Sequence, residues 1–451
     1  MMRTVFGTGC LLSLVLPCGQ VLAQPSLDSL VDRDIAGLVG TYKALHGAPE
    51  LSHYEEKTSA LVAKELRALG YTVTDHLGKF SRPEWRGYGV VGVLRNGEGP
   101  VVLVRSDMDA LPVEEKTGLP YASKVRVKND AGQEVAVMHA CGHDIHMTTL
   151  LGTAKLLAEL RNEWRGTLVL VGQPAEETID GAQALLNDGL YDRIPKVDYA
   201  LAIHDTGELP AGKVGLNPGF IMASGTAVDI TVRGIGGHGA RPELAKDPVV
   251  LASQIVLALQ TIVSRENSPI DPAVVTVGSI HGGTRPNIIP DDVKLQLTVR
   301  AYKEESRKRI LESIERIAKG TAAAAGIPPE LAPVVVVSKT EFTPATYNDP
   351  ALAERLAAVF KRTLGADNVG SLPPAMISED FARFGLDGHQ IPSVLFQVGA
   401  TDPVKFAEGQ RIGTPPPALH SALFAPVPEP TLRAGIKLMT SAVLELMKKQ
   451  N

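Results

Sequence analysis

Short β-branched runs alternating with helix-like segments constrain this chain more than any other feature. Apolar residues at helical spacing over 58–69 stop at Gly70, a residue type that ends helices. β-rich runs follow at 89–94, 101–104, 167–171, 197–203 and 394–398, with helical patterns at 145–160 and 182–188 among them. Such alternation predicts an α/β domain on a mostly parallel sheet. Three runs end in polar residues that have no packing reason to be there. Val104 leads into Arg105, Ser106, Asp107 and Asp109; Val171 leads into Gln173, Glu176 and Glu177; Ile203 leads into His204 and Asp205. Ligands of open α/β sheets bind beyond the carboxyl ends of strands, so these groups converge on one candidate site.

Residues 222–340 follow another rule. Strand (227–232), helix (249–264), strand (273–280), strand (293–299), helix (304–325) and strand (334–338) succeed one another, the β-α-β-β-α-β order of a ferredoxin-like motif. The first pattern resumes after Asn348, with closing helices at 352–364 and 430–447. The α+β unit is therefore read as inserted: residues 24–221 and 341–451 form the parallel-sheet domain, and 222–340 a second one. Two domains suit 451 residues, more than one core usually serves.

The chain begins Met1-Met2-Arg3, continues apolar over 5–22, and reaches Val21-Leu22-Ala23 before Gln24-Pro25. A basic start, an apolar middle and small residues before a break form the secretory signal pattern. Gly7, Gly9, Pro17 and Gly19 would spoil a spanning helix there. Pro17 also stands where attachment of a lipid at Cys18 wants a small residue. The expectation is a signal peptide over residues 1–23 and an exported chain, periplasmic or secreted. No later apolar run reaches the ~18 residues of a membrane span, so no membrane contact is expected after cleavage. A net charge of -5, from 45 Lys+Arg and 50 Asp+Glu, leaves no basic footprint for nucleic acid. Cleavage removes Cys10 and Cys18 and leaves Cys141 alone. A lone thiol in an oxidising compartment must be buried or engaged in chemistry.

The densest signal is Met138-His139-Ala140-Cys141-Gly142-His143-Asp144-Ile145-His146. Cys141 and His143, two apart, share no helix face but point the same way on a turn. The helical pattern starts just after, so its dipole and a metal would each favour the thiolate. Thiolate with imidazole suits zinc or a similar first-row ion; the plain alternative is a buried structural cysteine. Glu176-Glu177 repel each other unless a cation is near. With a metal present, one would ligate while the other holds the attacking water and moves its proton; otherwise the pair is a solvated acidic turn. His204 at its strand end and His420 in the apolar stretch Ala418-Leu419-His420-Ser421-Ala422 complete the candidates. A core histidine is the ordinary explanation for the last. Jointly, the ordinary explanations need several unrelated accidents on one sheet edge, and the metal reading prevails.

These segments resemble the zinc-dependent aminoacylase/carboxypeptidase family, in the amidohydrolase branch that includes hippurate hydrolase and the plant indole-acetyl-amino-acid hydrolases. The likeness runs through His46-Gly47-Ala48-Pro49-Glu50-Leu51-Ser52, Ser106-Asp107-Met108-Asp109-Ala110-Leu111-Pro112, the Cys141 segment, Pro174-Ala175-Glu176-Glu177, Gly236-Gly237-His238-Gly239-Ala240, 282–291, Ser378-Glu379-Asp380-Phe381 and Leu419-His420-Ser421. It implies metal ligation by Cys141, His143, Glu177, His204 and His420, with Glu176 as general base. It implies one or two divalent ions (zinc, manganese, cobalt or nickel), bridged by the thiolate if two. Asp109 resembles the carboxylate that orients a ligand. Asp107 stands where the carboxypeptidase branch has a histidine ligand, and no role is assigned to it. The inserted unit resembles the family's lid and dimerisation domain and implies a homodimer. His238 would reach an active site across the dimer and stabilise the oxyanion. Asn287 and Arg285 resemble anchors for the substrate carboxylate, although Arg285 replaces a small residue common in relatives.

The implied activity is amide hydrolysis of N-acyl amino acids or short peptides. Rivals are an N-acetyl-diaminopimelate-type deacetylase, an aminobenzoyl-glutamate-type hydrolase and a carboxypeptidase on longer peptides. A metal-bound, non-catalytic binding protein is the rival of another class; loss of Glu176 would be its signature, and Glu176 is present.

Overall fold

The computed structural model describes residues 1, 2, 4, 26–386 and 388–449; the signal peptide expected over residues 1–23 falls almost wholly outside them. Four parallel strands form the centre of an eight-stranded sheet: Gly166–Gln173, Val101–Asp107, Tyr199–Pro210 and Ser393–Thr401, side by side in that order. Every residue of the first two is buried, as strands covered on both faces require. Alternate residues feed two cores. Val102, Val104, Leu168 and Leu170 face helices Glu56–Ala68, His143–Glu159 and Pro428–Leu446, while Leu103, Val169 and Val171 face helix Gly181–Asn187.

The sheet is antiparallel at one margin. Thr72–Leu77 pairs antiparallel with Gly89–Asn96, and the latter with Gly166–Gln173. No helix lies between Thr72–Leu77 and Gly89–Asn96, and a strand joined without a crossover returns in the opposite direction.

The inserted unit has the expected topology. Its strands lie in the order Ala273–Gly282, Asp292–Ala301, Ser224–Arg233, Val334–Thr343, all antiparallel. Val228, Ile230, Leu295, Leu297 and Val299 form one apolar face, buried by helices Pro248–Thr261 and Glu304–Ala324. Entry and exit segments pair with each other, Gly219–Met222 against Thr346–Asn348, so both linkers leave the large domain at one place. Helix Pro248–Thr261 continues as a π turn, Ile262–Glu266. Together they are long and apolar enough, by length and composition, to cross a membrane, which amends the expectation that no later segment reaches that length. Here Leu251, Ile255, Leu259 and Ile262 pack on the inserted unit's sheet.

Candidate metal centre

Cys141 sits in the turn that opens helix His143–Glu159. Gly142, at φ +78°, lets the chain turn there, and a Cβ would meet Asp205 Oδ1 at 2.2 Å; only glycine fits. The turn brings Cys141 and His143 to the strand ends. Cys141 Sγ lies 3.7 Å from His204 Nε2, and His143 Nε2 lies 3.8 Å from both Glu176 Oε2 and Glu177 Oε1. His420 Nε2 is 3.4 Å from Glu177 Oε2. Three sets, Cys141/His143/His204, Cys141/Glu177/His420 and His143/Glu176/Glu177, each hold their ligand atoms within 4.8 Å of one another. The four segments singled out in the sequence thus meet at one point.

His420 departs from the core histidine that its apolar neighbours suggested. Its side chain is 54% exposed and its φ of +65° is left-handed, a conformation uncommon outside glycine. A hydrogen bond from its amide to Ala140 O (2.8 Å) fixes the segment against the Cys141 turn.

Asp109 contacts two members of the cluster. Its carbonyl lies 2.8 Å from His143 Nδ1 and its Oδ1 lies 3.2 Å from the same atom, while Oδ2 accepts the Glu177 amide at 3.0 Å. His204 Nδ1 lies 2.6 Å from Asp205 O. In both rings a backbone oxygen takes Nδ1 and turns Nε2 toward the cluster, a common second contact of ligating histidines.

Asp107 now has a place. It meets Arg105 Nη1 and His146 Nδ1, each at 2.7 Å, and Arg105, wholly buried, also binds Gln173, Glu379 and Asp380. This network ties the segment after the inserted unit to the floor of the site. It was not foreseen, because nothing in a sequence tells a buried arginine from an exposed one.

The residues fit a divalent cation. His143 Nε2 and Glu177 Oε1 are buried without a hydrogen-bond partner, which is costly for polar atoms unless something else satisfies them. Burial pushes the Cys141 thiol well above its usual value, with the Glu177 charge adding to it. Burial likewise raises Glu176, helped by Glu379 and Glu177. It raises Glu177 to about 8, with Asp109 and Asp107 adding and His143 opposing. Acids crowded this way ionise together when a cation joins them. Thiolate, imidazole and carboxylate are donors that zinc and its first-row neighbours accept.

A cavity of about 800 Å³ opens on Cys141, Glu176, Glu177, His204 and His420. Arg300 stands in its wall, on the polar face of strand Asp292–Ala301. The guanidinium donates to Ser378 Oγ (2.6 Å) and Met376 O (3.2 Å), and no carboxylate pairs with it among the described residues. Sequence reasoning missed it: Lys294, Gln296, Thr298 and Arg300 read as an ordinary solvent-facing alternation, and only the fold lays that face over the site.

The lid residues singled out earlier lie elsewhere. His238 belongs to a two-residue strand paired with Ile288–Ile289, and the carbonyl of Asn287 accepts the Gly239 amide at 2.9 Å. His238, Asn287 and Arg285 are exposed, and none lines the cavity. Within one chain, the structure brings them together with each other but not with the metal cluster.

Comparison with known proteins agrees with this geometry. The profile of peptidase family M20/M25/M40 matches residues 103–410. Hippurate hydrolase of Campylobacter jejuni is 40% identical over 345 residues, 75% of this chain and 82% of that protein. An IAA-amino acid hydrolase of Arabidopsis thaliana is 36% identical over 356 residues, 78% of this chain and 75% of that one. Among solved structures, the dinuclear metal-binding M20 peptidase YXEP of Bacillus subtilis superposes with a TM-score of 0.71 at 28% identity, covering 92% of this chain and 99% of its own.

Proposed function

This chain belongs to peptidase family M20/M25/M40, and from that premise we propose that it cleaves N-acyl amino acids or short peptides with Glu176 as the base. It is a metal-dependent hydrolase of amide bonds. The observation that carries the finer reading is Glu176, raised by burial, beside the unsatisfied His143 Nε2 and Glu177 Oε1 in one cavity with Arg300.

Cys141, His143, Glu177, His204 and His420 would hold one or two divalent ions, of zinc, manganese, cobalt or nickel. Such ions supply Lewis acidity toward the amide carbonyl and toward water. Glu176 takes the proton of the attacking water and delivers it to the leaving nitrogen. Arg300 holds the substrate carboxylate, since an arginine fork matches that group bidentately. His238, with Asn287 and Arg285 beside it, completes a neighbouring subunit's site in a homodimer formed through the lid, and there supports the oxyanion. That they are exposed and do not line the cavity of their own chain supports this arrangement. The residue pattern of positions 1–23 supports export to the periplasm or beyond, and a mature N-terminus near Gln24 would bear it out.

The test is metal content followed by hydrolysis of hippurate-like, N-acetyl-amino-acid and aminobenzoyl-glutamate substrates, with and without chelator. Chelator-sensitive release of the free amino acid is the expected result. Bound metal with no turnover of any substrate overturns the reading in favour of a binding protein.

A further inference from the structure

Ala175 and His53, like Ile179 and His420 at the same site, hold backbone that side chains rarely adopt. Ala175, immediately before Glu176, has φ +52°, and His53 has φ +69°. Neither is glycine, so the surroundings must enforce both conformations. One atom reaches both: Glu55 Oε1 accepts the Ala175 amide at 2.8 Å and the His53 amide at 3.1 Å. Glu55 is wholly buried, and its other oxygen has no hydrogen-bond partner.

Glu55 is also the residue before helix Glu56–Ala68, yet its side chain makes no capping bond there. Glu50 does that work from outside, accepting the Lys57 and Thr58 amides at 3.2 and 2.8 Å. The Glu55 carboxyl is thereby free to face the loop that carries the base. Its neighbours act on the same loop. Ser52 Oγ donates to Asp109 Oδ2 (2.6 Å), which accepts the Glu177 amide, and His53 Nε2 lies 3.2 Å from both oxygens of Asp180. Residues 52–55 thus hold 175–180 directly at two points, Glu55 on Ala175 and His53 on Asp180, and at a third through Asp109.

We propose that Glu55 is a positioning residue for Glu176, acting through the Ala175 amide; the proposal rests on the reading of Glu176 as base. Without that acceptor Ala175 relaxes toward ordinary backbone angles, and the Glu176 carboxylate turns away from the water it must deprotonate. Binding of the substrate carboxylate and of the metal, which use other groups, is untouched. Only an acceptor at Oε1 is needed, so glutamine serves in place of glutamate.

The experiment uses the full chain and a substrate that the wild type hydrolyses. Glu55→Ala lowers kcat by ~10²-fold, the cost of an ångström-scale misplacement, with KM and metal content unchanged. Glu55→Gln stays close to wild type. Amide exchange at Ala175, read in metal-free protein, quickens in Glu55→Ala and not in Glu55→Gln. If Glu55→Ala does not fold, Glu55→Asp, which draws the acceptor back by one methylene, shows the same split. Unchanged kcat and unchanged exchange in the alanine or aspartate variant overturn the proposal. So does loss of metal together with rate, or a glutamine variant as impaired as alanine. Absence of turnover in the wild type would sink the amidohydrolase reading instead, and the exchange measurement would still judge the clasp.

Discussion

The two halves of the proposed machinery are built in opposite ways. At the strand ends each group is buried and held: Asp109 orients His143, Asp205 O orients His204, and Arg105 locks Asp107 and Glu379 beneath them. On the inserted unit, His238 is exposed on a two-residue strand, its Nδ1 accepting the amide of Ala240. Groups that must hold a cation and time a proton transfer need fixed geometry, and burial with hydrogen bonds provides it. A group that must meet the substrate only on closure gains nothing from burial in its own chain.

The hardest test of the built half is Glu176→Gln. It should keep its metal and lose ~10³-fold in kcat, within the range for a general base. Substantial residual turnover would remove Glu176 from that role. On the lid, His238→Ala should cost ~10²-fold or more, the scale of one oxyanion donor. Mixing the two inactive variants sharpens the comparison. In a mixed dimer one site keeps both Glu176 and the His238 supplied across the interface, so activity should return. No recovery, with mixed dimers verified by mass, would break the cross-subunit arrangement.

What the sequence made legible follows the same division. Apolar runs record strands buried on both faces, so the parallel centre and its polar ends could be read from Val101–Asp107 and Gly166–Gln173. Cys141 and His143 stand out because chemistry forces rare residue types to close spacing. Arg300 and Glu55 carry no such mark, and Arg105 stood out only as a polar strand end, without its buried network. Arginine and glutamate are common, and what distinguishes these three is burial or facing, which long-range packing decides. His420 is a mixed case: its apolar neighbours alone fit an ordinary core histidine, whereas its side chain is half-exposed on left-handed backbone beside Glu177.

Arg300 tests where the halves touch, since it belongs to the lid but lines the cavity of its own chain. Arg300→Leu should raise KM by ~10-fold, as expected for losing a charge-assisted hydrogen bond of about 1.5–3 kcal/mol, with a smaller change in kcat. A substrate amidated at its carboxylate should be insensitive to the substitution. Equal losses on both substrates would show that Arg300 holds the lid in place rather than the ligand.

The last test concerns stability rather than turnover, at the footing of the buried half. His46 lies between Asp144 Oδ2 at 2.7 Å and Glu115 Oε1 at 3.1 Å, all three side chains inaccessible to solvent. Burial alone would lower its pKa, but the hydrogen bonds and charges of Asp144, then Glu115, outweigh it and raise the value to about 9. The folded chain then keeps a proton that the unfolded chain, with histidine near 6.5, has released. This stabilisation is complete below pH 6.5 and is lost as pH rises through 9, about 3 kcal/mol across that interval. The urea midpoint should accordingly fall between pH 7 and 10, with the His46 ring, followed by NMR, still charged at pH 8. A neutral ring at that pH would mean the carboxylates are held by something other than an imidazolium. The start of the helix bearing His143 would then rest on neutral hydrogen bonds, and the buried half would be less sensitive to pH than its charges suggest.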